Sequence, residues 1–172
     1  NKSWVKKISE IDKKIYKAIS KTLNEVGYSL NIELSIRLTS DKEMQKLNNK
    51  YRGKPNVTNI LSFPQENDLV GHSNNCEYLG DIAIGFETVK KESIDQKKTL
   101  CAHLIHLIIH GVLHLIGYDH KNHIESKTME EIEINILGLI AVIVSTIIAS
   151  SSGIASRIPA QCAGVKLLTT CL

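Results

Sequence analysis

Six of the seven histidines fall within the 21 residues His103–His123, in the run HLIHLIIHGVLHLIGYDHKNH. His110 and His114 are four apart in an apolar helical stretch, so their rings lie one above the other on a single face and can present two nitrogens to one point. Gly117 can take the left-handed geometry that ends a helix, and the turn Tyr118–Asp119–His120 can then return a third ring to that point. Three neutral imidazoles with a fourth position left open describe a catalytic zinc site, whereas a structural site supplies four ligands. The competing reading is a set of histidines that fill and hydrogen-bond within a core.

The spacing H-x3-H-x5-H, with Gly three residues after the second His, is that of the metzincin pattern HExxHxxGxxH. Gly111 stands where a zinc protease carries its general-base Glu, so peptide hydrolysis by that route lacks a proton acceptor. His106, one turn before His110, reads as support or satisfied burial rather than as a ligand. His103 and His123 are open to exposure or RNA contact, and His72 has no visible partner. Ser62 has no sequence-near His–Asp pair, which makes it a strand residue.

The rest of the chain alternates between helical and extended patterns. Trp4, Ile8, Ile11, Ile15, Ile19 and Leu23 recur every three or four residues and predict one amphipathic helix ending near Gly27, with Lys6, Lys7, Lys13, Lys14, Lys17 and Lys21 on its wet face. Asn31–Leu38 alternates as a strand, Asp41 is placed to cap a short helix through Tyr51, and Thr58–Phe63 and Leu79–Phe86 read as two more strands flanking the loop Gln65–Tyr78. Lys46, Lys50, Arg52 and Lys54 form the best local basic patch. Tyr51 and Phe63 are open both to stacking on bases and to ordinary packing.

At 172 residues with 42% hydrophobic and 23% charged content, the chain suits one globular domain, and its net charge of +3 does not announce a polyanion partner. Cys76, Cys101, Cys162 and Cys171 show no CxxC and irregular spacing, which predicts reduced thiols in a cytoplasmic protein. Asn1–Ile8 lacks the pattern of a secretory signal, so no export is expected. All 18 acidic and 19 of the 21 basic residues precede Ile134, and Ile134–Ser156 carries no charge.

Four ordered motifs then carry a resemblance: LNNKYRGKPNVTNILSFP at Leu47–Pro64, LGDIAI at Leu79–Ile84, HGVLHLIGYDH at His110–His120 and MEEIEINIL at Met129–Leu137. From about Ser35 to Leu137 the sequence resembles the YbeY family of endoribonucleases, the ribosomal RNA maturation factors. The resemblance implies that His110, His114 and His120 are ligands of one zinc ion and that Arg52 is a functionally important arginine. It also implies single-stranded ribosomal RNA as substrate, with maturation of the 16S rRNA 3′ end and ribosome quality control as the work, and the small ribosomal subunit as partner. A guanidinium at Arg52 would match two phosphate oxygens and stabilise charge building on phosphorus. Asp119, beside a ligand, is open to orienting an imidazole or accepting a proton, with orientation the simpler geometry.

Two departures stand against that likeness. The family's Pro before Thr-Asn is Val57 here, with Pro55 two positions earlier, so the loop after Arg52 is expected to arrive differently. After Leu137 the likeness ends. The fold predicted is α/β (α+β), one domain over residues 1–138 with a small mixed sheet packed by helices, followed by an apolar, low-charge tail at 139–172. That tail is read as an appended extension, an added packed element or, least favoured, a membrane segment, since Leu139–Ala149 is too short to cross a bilayer. A metal-binding assembly factor without turnover and a metalloprotease-like hydrolase are the competing functions.

Overall fold

The helix carrying the histidines, α5 (Leu100–Leu115), runs through the middle of the molecule with Leu104, Ile108, Ile109, Val112 and Leu113 almost wholly excluded from solvent. The computed structural model describes residues 2–28, 31–65, 77–149 and 166–169. In chain order the elements are α1 (Lys2–Lys7), α2 (Ile11–Glu25), β1 (Ile32–Thr39), α3 (Asp41–Arg52), β2 (Ile60–Pro64), β3 (Glu77–Gly85), α4 (Phe86–Asp95), α5, α6 (His123–Ala149) and β4 (Lys166–Thr169). The sheet order is β2-β3-β1-β4, with β2 antiparallel to β3 and the other pairs parallel. This is the mixed α/β arrangement expected from the sequence.

Alternation along β1 puts Ile32, Leu34, Ile36 and Leu38 in the main core beneath α2 and α5. A second, smaller cluster of Met44, Leu61 and Ala83 seats α3 on the other face of β2 and β3. Each Ile, Leu or Met among these contributes roughly 1.5–3 kcal/mol when fully withdrawn from water. The two faces of β2 therefore serve different partners, which matters for the site.

Three local expectations change. The first helix is two: Glu10 adopts a left-handed conformation (φ 51°) between α1 and α2, and the bend lets Trp4 turn inward. There Trp4 is fully buried, edge-on to Phe86 at 5.1 Å, and donates to the Thr39 carbonyl at 3.3 Å. Tertiary packing overrides an unbroken periodicity. Asp41 does not cap α3, whose N-cap is Ser40. Instead its carboxylate accepts from the Thr88 amide (3.1 Å) and hydroxyl (2.6 Å) at the start of α4, while Glu87 accepts from the Asp41 amide at 2.8 Å. Each helix start is thus satisfied by the other. The third change is α4 itself, which sequence periodicity left unassigned.

The lysines of α1 and α2 lie on exposed or half-buried positions, as expected of a wet face. Cys101 is a half-buried free thiol, whereas Cys76, Cys162, Cys171, His72 and most of the loop after Gln65 lie outside the described residues. Helix α6 continues through Ala149, and β4 pairs with β1 from Glu33↔Lys166 to Ile36↔Thr169. The remainder of the tail also lies outside the described residues. Among the described residues no single helix is long and apolar enough to cross a membrane.

Candidate metal centre

Helix α5 begins at the N-cap Thr99, whose hydroxyl accepts from the Ala102 amide at 3.1 Å, and ends at a left-handed Gly117 (φ 96°). There the Tyr118 amide donates to the Leu113 carbonyl (3.0 Å) and the Gly117 amide to that of His114 (3.2 Å), the paired bonds of a glycine-terminated helix. The same turn leaves the Tyr118 carbonyl free to accept from His114 Nδ1 at 3.0 Å. One helix ending therefore both reverses the chain toward His120 and orients His114.

Potential ligand atoms of His110, His114 and His120 all lie within 4.8 Å of one another. The rings of His110 and His114 meet edge-on at 4.5 Å, and His120 stacks near His110 at 5.8 Å. Their protonation follows from their partners. Tyr118 offers only a carbonyl, so His114 Nδ1 carries the proton; Glu133 Oε1 lies 2.7 Å from His110 Nδ1, so that nitrogen carries one too. In the neutral rings the two Nε2 lone pairs then face each other at 3.1 Å. Two such lone pairs repel unless a cation lies between them. Metal–nitrogen bonds of about 2.0–2.1 Å in a tetrahedron separate ligand nitrogens by roughly 3.3 Å, so the donor set fits a metal ion. Burial, together with His110 and His120 nearby, pushes the His114 pKa below its usual value and keeps the ring unprotonated.

Glu133 is the residue that sequence reasoning missed. Only 7% exposed, it projects from α6 between the buried Met129 and Ile136 and holds His110 Nδ1 with one oxygen and His106 Nε2 with the other at 2.9 Å. Burial pushes its pKa up, but the bonds and charges of His106 and His110 outweigh that and hold the carboxyl at about 2. The available signal was a lone carboxylate on the apolar stripe Met129, Glu133, Ile136, Ile140. His106 accordingly faces Glu133 rather than the ligand cluster. His103, read as exposed or in contact with RNA, is buried at 2% exposure and bonds Glu92 at 2.8 Å; Glu92 in turn accepts from Asn59 just ahead of β2. His123 is exposed at the start of α6.

The cluster opens into a cleft of about 530 Å³ lined by Arg52, Ile60, Ser62, Pro64, His110, His114, Gly117, Tyr118, Asp119, His120 and Lys121. Arg52 reaches it from the end of α3. The loop that follows is held by Gln45 donating to the Pro55 carbonyl (2.8 Å) and Asn48 to that of Asn56 (2.7 Å), so Val57, exposed at 42%, leaves Arg52 in the cleft. Asp119 accepts from the His120 amide and the Lys121 ammonium, both at 2.8 Å, which steadies the loop rather than an imidazole ring. The Lys121 bond and then the His120 amide lower its pKa, making it a weak proton acceptor. Gly111 explains the absent Glu: a Cβ there would stand 2.9 Å from Ile60 Cδ1, 3.0 Å from Ile82 Cδ1 and 3.2 Å from Ser62 Oγ. A side chain there would have to push aside the tips of Ile60 and Ile82 where helix and sheet meet.

Tyr51 is 56% exposed and lies edge-on to Phe63 at 5.0 Å, with Lys50 4.9 Å above its ring. Lys46 pairs with Glu43 at 3.6 Å, so the basic patch is partly neutralised.

Comparison with known proteins agrees with this geometry. The sequence profile of the YbeY family, described as Endoribonuclease YbeY, matches residues 1–141. Proteins named Endoribonuclease YbeY from Colwellia psychrerythraea and Chelativorans sp. are 46% and 38% identical to this chain over 121 and 128 residues. These alignments cover 69% and 74% of this chain, and 76% and 78% of the relatives. The solution structure of TM1509 from Thermotoga maritima superposes with a TM-score of 0.56 at 25% identity, covering 88% of this chain and 95% of that one. With a profile match over most of its length and relatives well above the identity that chance produces, the chain belongs to the YbeY family.

Proposed function

We propose that this protein is a zinc-dependent endoribonuclease that cuts single-stranded ribosomal RNA in the cytoplasm, maturing the 16S rRNA 3′ end and serving ribosome quality control on the small subunit. The endonuclease activity and RNA substrate rest on the family and its named relatives. The catalytic unit is residues 1–138, upstream of the point where family likeness ends.

One observation carries the chemistry: the three imidazoles converge in the same cleft as Arg52. A zinc ion held by His110, His114 and His120 would supply Lewis acidity to a phosphoryl oxygen and acidify water toward neutral pKa. Arg52 binds the phosphate through its planar fork and stabilises negative charge as it grows in the transition state. Glu133 and the Tyr118 carbonyl orient the two helical rings. Lys121 adds positive charge at the cleft wall, reduced by its pairing with Asp119. β2 and the 117–121 turn form facing parts of the lining of this cleft.

Labelled single-stranded RNA incubated with the wild type, His114→Ala and Arg52→Ala tests this reading, with zinc content measured on each protein. The expected result is internal cleavage that both substitutions reduce, with zinc retained by Arg52→Ala and lost by His114→Ala. Zinc bound without RNA cleavage by the wild type would overturn the catalytic reading in favour of an assembly factor. Cleavage of a peptide library instead would point to a protease.

A further inference from the structure

A polar tie between α5 and α6 is flanked on α6 by two buried apolar residues. Met129 and Ile136 are at 2% and 0% exposure, and between them the Glu133 carboxylate spends one oxygen on His110 and the other on His106. A buried carboxylate is costly unless satisfied, and here both oxygens are used. Among the described residues His106 Nδ1 is buried without a hydrogen-bond partner, so the ring's one hydrogen bond is the one its Nε2 makes to Glu133. With one oxygen on each ring, the carboxylate holds the His110 proton on Nδ1, which is what points Nε2 at His114. A neutral residue at 133 would let His110 choose the other tautomer and lose the ligand lone pair.

The geometry points to Glu133 as the positioning residue of the metal site, and to metal binding as a stabiliser of α6 docking. The inference rests on the metal-site reading above and deepens it. Because α6 supplies the group that aims a ligand on α5, occupancy of the site and seating of α6 are one linked equilibrium: whatever metal binding gains from a seated α6, α6 gains from bound metal. Nothing in α6 need touch the metal for this to hold.

Zn2+ and Co2+ titrations of the full chain, with hydrogen exchange followed across α6, decide the matter. Glu133→Gln keeps the shape but cannot accept from both rings, and its metal affinity is expected to fall about 10–100-fold, with a changed Co2+ visible spectrum. His106→Gln, which leaves the His110 bond intact, is expected to retain affinity to within a few-fold. Metal should slow amide exchange near residue 133 in the wild type and not in Glu133→Gln. A folded Glu133→Gln with wild-type affinity and Co2+ spectrum, or wild-type α6 exchange indifferent to metal, would overturn the proposal. A wild type that binds neither metal would instead sink the metal-site reading itself.

Discussion

His110 Nε2 and His114 Nε2 face each other at 3.1 Å while their Nδ1 atoms are committed to Glu133 and the Tyr118 carbonyl. With both Nδ1 atoms so committed, the two Nε2 atoms are left for each other, a pair that a shared metal cation would bridge. Chelation should therefore destabilise the fold. With free metal at a hundred times its Kd, the folded state gains about 2.7 kcal/mol, on the order of 5–10 °C in Tm for a chain of this size. Thermal unfolding with and without chelator measures it; an unchanged Tm contradicts the prediction.

Acid acts on the same pair. The folded His114 pKa lies below its usual 6.5, so the unfolded chain binds the proton more readily. Metal-free protein is expected to be steadier above pH 6.5 and to lose stability as pH falls below it. Denaturant titrations across that range should show a slope that His114→Gln flattens.

Arg52 is expected to matter more in the transition state than in the ground state. Arg52→Ala should lower single-turnover RNA cleavage about 100- to 1000-fold, by analogy with removal of one preorganised donor. Arg52→Lys should recover only part of it, since a point charge does not reproduce the fork. RNA binding measured separately would show a smaller loss than the rate does.

Restoring the protease-like carboxylate should fail. In Gly111→Glu the new Cβ meets Ile60, Ile82 and Ser62, and the charge enters a packed interface. Overpacking alone costs about 1–3 kcal/mol, more than the roughly 1 kcal/mol that replacing a helical glycine returns. The expected outcome is a lower Tm with no peptide cleavage.

A base-side window belongs to Tyr28, whose hydroxyl donates to Glu77 Oε2 at 2.9 Å. Burial, then that bond and the Glu77 charge, raise its pKa from 10 to about 12. A raised phenol pKa means that the neutral form is favoured in the fold, so its contribution is whole below pH 10 and is lost as pH climbs through about 12. Tyr28→Phe should remove this dependence from alkaline unfolding curves.

Much of the molecule was legible in the order of its residues. The four-residue step from His110 to His114 and the glycine at 117 bring ligands together by helical geometry alone, because the period of a helix is local. Alternation likewise placed β1, β2 and β3 within a residue or two. What escaped were decisions made by contact. Trp4 breaks a continuous helical pattern because the space beside Phe86 and Thr39 rewards its burial, and Asp41 serves the neighbouring helix because Thr88 lies within reach.

The amino-acid sequence by itself determined the histidine-bearing helix, its turn and the family kinship, all of which are written in short-range spacing and ordered motifs. Only the tertiary structure decided that Glu133 aims His110, that Arg52 shares the cleft, and that Gly111 is a point of close packing. These relationships join elements far apart in the chain, and no local period encodes which faces of α5, α6 and β2 will meet. Packing of apolar surface selects that arrangement, and the polar partners are whatever it brings into reach.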